Sequence, residues 1–240
     1  MRSRVSEVAP DVFQISTFVP EVGFQFSQYL VRDDEPLLYH TGPRAMFGLV
    51  HAAVAEVIDP STLRWISFSH FEADECGALE PWLQAAPAAQ AACGLIGAMV
   101  SVDDQISRKA RALADGEVLV TGKCRFRWIS TPHFPHGWDA GHLFEETERA
   151  LLCSDLFHQM GELEANTSGD IVERYAQTLA GMQQGPFAGY IPYGKHTTAG
   201  LAKLGALEPR TLLPMHGSSF TGDGAAALRG AGEVLARLLG

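Results

Sequence analysis

Residues 69–77, SHFEADECG, constrain this chain more than any other stretch. They place His70, Glu72, Asp74 and Glu75 side by side at the end of LRWISFSH (residues 63–70), an apolar run that reads as a buried strand. Clustered carboxylates repel one another and are costly to bury without a compensating charge. A chain that ends a central strand in this way needs a cation at that end.

The rest of the sequence supplies a frame for such a site. DVFQISTF reads as a strand, and FSQYLVRDDEPLLYHTG as two strands joined by a charged turn. RAMFGLVHAAVAEVI carries apolar residues at helical spacing and stops before Pro60. ALEPWLQAAP reads as a helix interrupted at Pro81, and residues 101–116 as a helix capped by Ser101, with Asp103 and Asp104 near its N-terminus, and closed by Gly116. EVLVTG, FRWIST and HLFEETERALLCSD read as strands, GDIVERYAQTLAGM as an amphipathic helix, RTLLPMHG as a strand running into a loop, and residues 224–240 as a closing helix. Strands followed by helices in two successive halves predict a layered α/β fold, two sheets inside and helices outside, in one domain spanning residues 1–240.

Composition excludes several partner classes. With 46% hydrophobic and 19% charged residues, the chain suits a well-buried core. A formal net charge of -10 opposes phosphate backbones and argues against nucleic acid. No run reaches the roughly 18 consecutive apolar residues of a membrane span. The first fifteen residues lack a long apolar segment, so no secretion signal is expected. Cys76, Cys93, Cys124 and Cys153 form no C-x-x-C pair and read as reduced, largely structural thiols of a cytoplasmic protein.

Three further junctions of the same kind present acids and histidines: TPHFPHGWDAG with His133, His136 and Asp139, LLCSDLFH with Asp155, and LLPMHGS with His216. Imidazoles and carboxylates without thiolates suit iron, manganese or zinc. In H-x-E-x-D, alternate residues project the same way if the segment is extended. So many donors serve two ions better than one, with Asp155 as the shared carboxylate.

The order His70, Glu72, Asp74, His136, Asp155, His216 resembles the H-x-H-x-D-H, His, Asp, His pattern of the metallo-β-lactamase superfamily. Glu72 in place of the second histidine resembles the flavodiiron branch, and HGWDA is similar to that branch's H-W-P-D-S segment, which favours His136 over His133. The likeness runs from about Phe13 to about His216. It implies a four-layer αββα metallo-β-lactamase sandwich and a non-haem di-iron centre reacting with dioxygen or nitric oxide. One iron would take His70, Glu72 and His136, the other Asp74 and His216, and Asp155 would bridge them. Glu75 stands where the family usually has histidine, and either binds the second iron or points away. HFEADE resembles the form found in stand-alone oxygen-binding di-iron proteins, some of them oxygen or iron sensors. Flavodiiron enzymes continue into a flavodoxin domain with FMN, and this sequence stops about where one would begin, so an external electron donor or a signalling partner is expected. The oligomeric state is left open, a dimer included. The alternative is a two-zinc hydrolase, against which Glu72 argues.

Around this set, His40 reads as either an orienting neighbour of a ligand or a strand-end histidine. Trp138, with Phe71, reads as either a water-excluding wall or ordinary packing. Tyr193 and His196 lie on a segment that is either a pocket wall or a surface loop. His51 reads as structural, and His142 and His158 carry no signal.

Overall fold

The computed structural model describes residues 2–240. The first half of the chain builds a seven-stranded sheet in the order β1 (Ser3–Ala9), β2 (Val12–Val19), β3 (Phe24–Val31), β4 (Leu37–Tyr39), β5 (Trp65–Ser67), β6 (Gln90–Gly94), β7 (Arg111–Leu113). Pairing is antiparallel from β1 to β4 and parallel from β4 to β7. The second half builds another, in the order β12 (Asn166–Thr167), β14 (Ser219–Thr221), β13 (Thr211–Pro214), β11 (Ala150–Ser154), β10 (Gly141–Glu145), β9 (Arg125–Ser130), β8 (Val118–Val120). The predicted two-sheet frame is therefore observed, and so are the expected layers. Tyr29, Tyr39, Trp65, Trp128, Leu143, Leu152 and Leu213 form one apolar cluster drawn from both sheets. A second cluster joins the first sheet to the helices α1 (Phe47–Val54) and α3 (Leu79–Ala85), with Trp82 fully buried in it. A third joins the second sheet to the helices Ile171–Met182 and Gly224–Leu239.

Local chemistry accounts for these elements. Asp170 accepts from the Glu173 N–H at 2.9 Å and Asp223 from the Ala226 N–H at 2.8 Å, so each long helix starts on a carboxylate cap. Ile171, Tyr175, Ala176 and Leu179 on one helix, and Ala227, Leu228, Ala231 and Leu235 on the other, are the buried stripe that helical spacing puts on one face. Between the sheets, β-carbons at Gly94 and Gly141 would stand 2.8 and 2.3 Å from the Trp128 ring, so only glycine lets these strands close over it.

Two expectations fail. Pro81 does not interrupt its helix, because it lies in the first turn of α3, where a missing N–H costs no bond. Residues 101–116 are not one helix. The helical segment ends at Gln105, and Arg111–Leu113 join the sheet edge as β7. Tertiary bonds override the local pattern: the Arg108 guanidinium donates to the carbonyls of Leu83, Ala86 and Pro87, and Asp103 accepts from the Ala110 N–H at 2.9 Å. Among the described residues no helix is long and apolar enough to cross a membrane.

Candidate metal centre

Strand ends deliver the acidic cluster to one place. His70 lies three residues beyond β5, Asp155 directly follows β11, and His216 lies two residues beyond Pro214 of β13. His136 comes from the loop joining β9 to β10. Glu72 is still extended, at φ -141° and ψ 162°, but a helical turn, α2 (Ala73–Cys76), begins directly after it. The extended H-x-E-x-D reading thus fails: the chain bends at residues 69–71, with the Glu72 N–H donating to the His70 carbonyl at 3.1 Å, and only Glu72 itself has extended backbone. Asp74 and Glu75 reach the cluster because the chain coils there. Three buried non-glycine residues beside the cluster, His40 (φ 63°), Ser154 (φ 54°) and Phe157 (φ 63°), hold left-handed backbone, which costs L-residues on the order of 1–2 kcal/mol and gathers at functional sites.

The side chains face one another as two groups around one carboxylate. His70 Nε2 lies 3.1 Å from Glu72 Oε2 and 3.7 Å from Asp155 Oδ2. His136 Nε2 lies 2.9 Å from Glu72 Oε2 and 3.6 Å from Asp155 Oδ2. His216 Nε2 lies 3.5 Å from Asp74 Oδ2 and 3.4 Å from Asp155 Oδ1. Asp155 thus turns one oxygen to His70 and His136 and the other to His216. Glu75 is fully buried between the groups, its Oε2 3.9 Å from His70 Nε2.

Neighbours fix the rings. His216 Nδ1–H donates to the Gln25 carbonyl at 2.8 Å, leaving Nε2 to face the carboxylates. The Ser69 hydroxyl meets His70 Nδ1 at 3.0 Å, His40 Nε2 at 3.2 Å and the Ser154 hydroxyl at 2.8 Å. His40 is therefore linked to His70 through Ser69. Burial holds His40 neutral, its pKa down at about 3.

Electrostatics test whether a cation fits. Burial pulls the His216 imidazolium down, but the bonds and charges of Asp155 and Asp74 outweigh it and lift the pKa to about 10. Bonds from His136 and His70 hold Glu72 down at about 2. Burial, then the charges of Asp155 and Asp74, push Glu75 well above the ordinary carboxylate range. Neither Glu75 oxygen has a hydrogen-bond partner. A buried carboxylate with no donor, facing other carboxylates, is what a cation relieves, and the all-N/O donor set suits a first-row metal. Three or more potential ligand atoms converge within 4.8 Å in each of the combinations His70/Glu72/His136, His70/Glu75/Asp155, Glu72/Asp74/Glu75 and Asp155/His158/His216.

Other candidates fall elsewhere. His133 is exposed and its ring packs 4.9 Å from exposed His196, away from the cluster, so the loop presents His136. Trp138 is 54% exposed and does not line the cleft over the cluster. Tyr193 borders a different groove, between the helices Lys195–Gly205 and Gly224–Leu239, because the segment holding His196 is the start of a surface helix. These three are corrections to the pocket-wall reading. The wall is instead Val22, Phe24, Phe26, Met182, Phe187 and Tyr190, around a cleft of about 570 Å³ that reaches Glu72, Asp74, His136, Asp155, His158 and His216. Phe24 and Phe26 pack on the His216 ring at 5.3 and 5.1 Å, and Tyr190 on His136 at 5.4 Å. The alternation in FQF (residues 24–26) was the available signal for the first two, with both rings toward the cleft and the Gln25 carbonyl on His216. His142 is a buried strand residue bonded to the Leu152 carbonyl at 3.1 Å.

Known proteins share this frame. Rubredoxin-oxygen oxidoreductase of Megalodesulfovibrio gigas is 26% identical over 208 residues, 84% of this chain and 50% of that protein. Flavo-diiron protein FprA2 of Clostridium acetobutylicum is 22% identical over 208 residues, 85% of this chain and 51% of that protein. The chain spans about half the length of these curated relatives. Among solved structures, the rubredoxin oxygen:oxidoreductase of Desulfovibrio gigas superposes with a TM-score of 0.81 at 20% identity, over 96% of this chain and 61% of that one. A fragment of a putative diflavin flavoprotein from Nostoc superposes with a TM-score of 0.81 at 14% identity, over 99% and 96%. These likenesses show the metallo-β-lactamase fold. The sequence model described as ODP family beta lactamase matches residues 24–217, and the chain belongs to that family.

Proposed function

We propose that this chain carries a non-haem di-iron centre that binds dioxygen or nitric oxide, and either reduces it with electrons from a separate donor or passes its oxidation state to a signalling partner. The observation that carries the reading is the division of Asp155, whose two oxygens face two separate histidine groups. One position would be held by His70, Glu72 and His136, and the other by Asp74 and His216, with Asp155 shared and Glu75 at the edge of both. The relatives named for oxygen reduction and for di-iron content point the same way.

Iron bound there supplies electrons and open coordination positions for a diatomic ligand. The side chains supply everything else. Ser69 and the Gln25 carbonyl hold His70 and His216 in fixed orientations. The carboxylates set a negative potential that disfavours anionic substrates. Phe24, Phe26, Met182 and Phe187 give the cleft apolar walls, which favour a small neutral gas over water and limit proton leakage. Burial keeps the Tyr190 hydroxyl protonated at the cleft wall.

The test is anaerobic purification followed by metal analysis and exposure to air. The reading predicts two irons per chain and a near-ultraviolet to visible band that develops with oxygen. Steady oxygen consumption with an added reductant identifies a reductase, and a single slow oxidation identifies a sensor. Zinc in place of iron, with no oxygen response, would sink the proposal.

A further inference from the structure

The second half of the cluster is poorer in nitrogen donors than the first. His70 and His136 both face Glu72, whereas Asp74 faces His216 alone. Resting on the di-iron reading above, we propose that His158 is a further ligand of the second metal position, steadied by the hydroxyl of Tyr190.

Placement is the first argument. His158 lies three residues beyond Asp155, after Phe157, whose backbone sits at φ 63°. It lines the same cleft as Asp74, Asp155 and His216. Asp155, His158 and His216 each offer a ligand atom, and these atoms lie within 4.8 Å of one another, a separation that one ion can draw together. The rings of His158 and His216 are nearly parallel, at 16°, with centroids 5.7 Å apart.

The hydrogen bonding is the second argument. A buried structural histidine normally has its N–H taken by a carbonyl, as His142 does with Leu152. His158 is 3% exposed, yet among the described residues its ring is hydrogen-bonded by the Tyr190 hydroxyl alone. A single phenol cannot satisfy both ring nitrogens at once, so one is left for another partner. Tyr190 also packs edge-on against His136, so the pair roofs both halves of the cluster.

Anaerobic titration with Fe(II), with metal counted after dialysis, tests this on the full chain. Wild type should hold two equivalents. His158→Gln and His158→Ala should keep the first and hold the second at least about 100-fold more weakly, since loss of a supporting group alone costs about 10–100-fold. Tyr190→Phe should keep both, with the second held about tenfold more weakly. An unchanged far-ultraviolet spectrum and retention of the first equivalent certify the fold, with His158→Gln as the gentler change. Two equivalents at wild-type affinity in both His158 variants would overturn this assignment and leave the di-iron reading standing. Loss of the second iron in Tyr190→Phe but not in His158→Gln would transfer the role to the hydroxyl and overturn it too. Wild type that takes up no iron would overturn both.

Discussion

The two halves of the candidate metal site are built to different tolerances. The first closes on itself, with His70 and His136 at 3.1 and 2.9 Å from the same Glu72 oxygen. The second is open, with His216 standing 3.5 Å from Asp74 and 3.4 Å from Asp155. The first takes two of its three side chains from one short loop after β5. The second needs α2 beside the first sheet, strand ends of β11 and β13 in the other sheet, and the Gln25 carbonyl from β3. The tight half takes two donors from one loop and needs only His136 and the shared Asp155 from the second sheet, whereas the open half draws each of its donors from a different element. Disturbance of the sandwich should therefore reach the second position first.

Asp155→Ala should have the largest effect, because its carboxylate belongs to both halves. Both irons should be lost on dialysis, and retention of one equivalent would show that the carboxylate is not shared. Trp128→Ala should cost about 3–5 kcal/mol of stability in urea denaturation, since its ring fills the space between the sheets under Gly94 and Gly141. In the still-folded fraction, the second equivalent should weaken before the first, and equal weakening of both would break the comparison. Glu75→Gln should weaken iron binding about tenfold, as expected for a group in or against the coordination sphere. Unchanged affinity would place Glu75 outside it. His133→Ala should leave metal content unchanged while His136→Ala loses the first equivalent.

The seam itself provides the smallest test. Asp33, in the turn between β3 and β4, accepts from the Thr121 hydroxyl at 2.8 Å and the Cys124 N–H at 2.9 Å, linking the turn to the β8–β9 hairpin. Burial pushes its carboxyl up, but the bonds from Cys124, Lys123 and Asp34 outweigh that and bring it from 3.8 to about 2. A lowered folded pKa gives stability that is present above 3.8 and lost as pH falls through about 2. Asp33→Asn should flatten the stability profile in that window, and an unchanged profile would show that the seam does not rest on this carboxylate.

Most of the first half-site was legible in the sequence, because its donors are neighbours after an apolar run. Asp155 and His216 were legible for the same reason, each following a short buried strand. His158 was not, since only the turn at Phe157 and the proximity of His216 give it meaning. Phe24, Phe26 and Tyr190 became cleft walls through packing between elements far apart in sequence. The misread helix over residues 101–116 has the same origin, since Arg108 and Asp103 are committed to distant backbone groups. Trp138, Tyr193 and His196 sit near ligands or glycines in sequence but on the outer surface in space.

Iron-edge anomalous diffraction from anaerobically grown crystals tests the central claim most directly. The account predicts two peaks flanking the Asp155 carboxylate, one among His70, Glu72 and His136 and the other beside Asp74 and His216. A single peak, or none at the iron edge with Asp155 bonded only to protein, would contradict it.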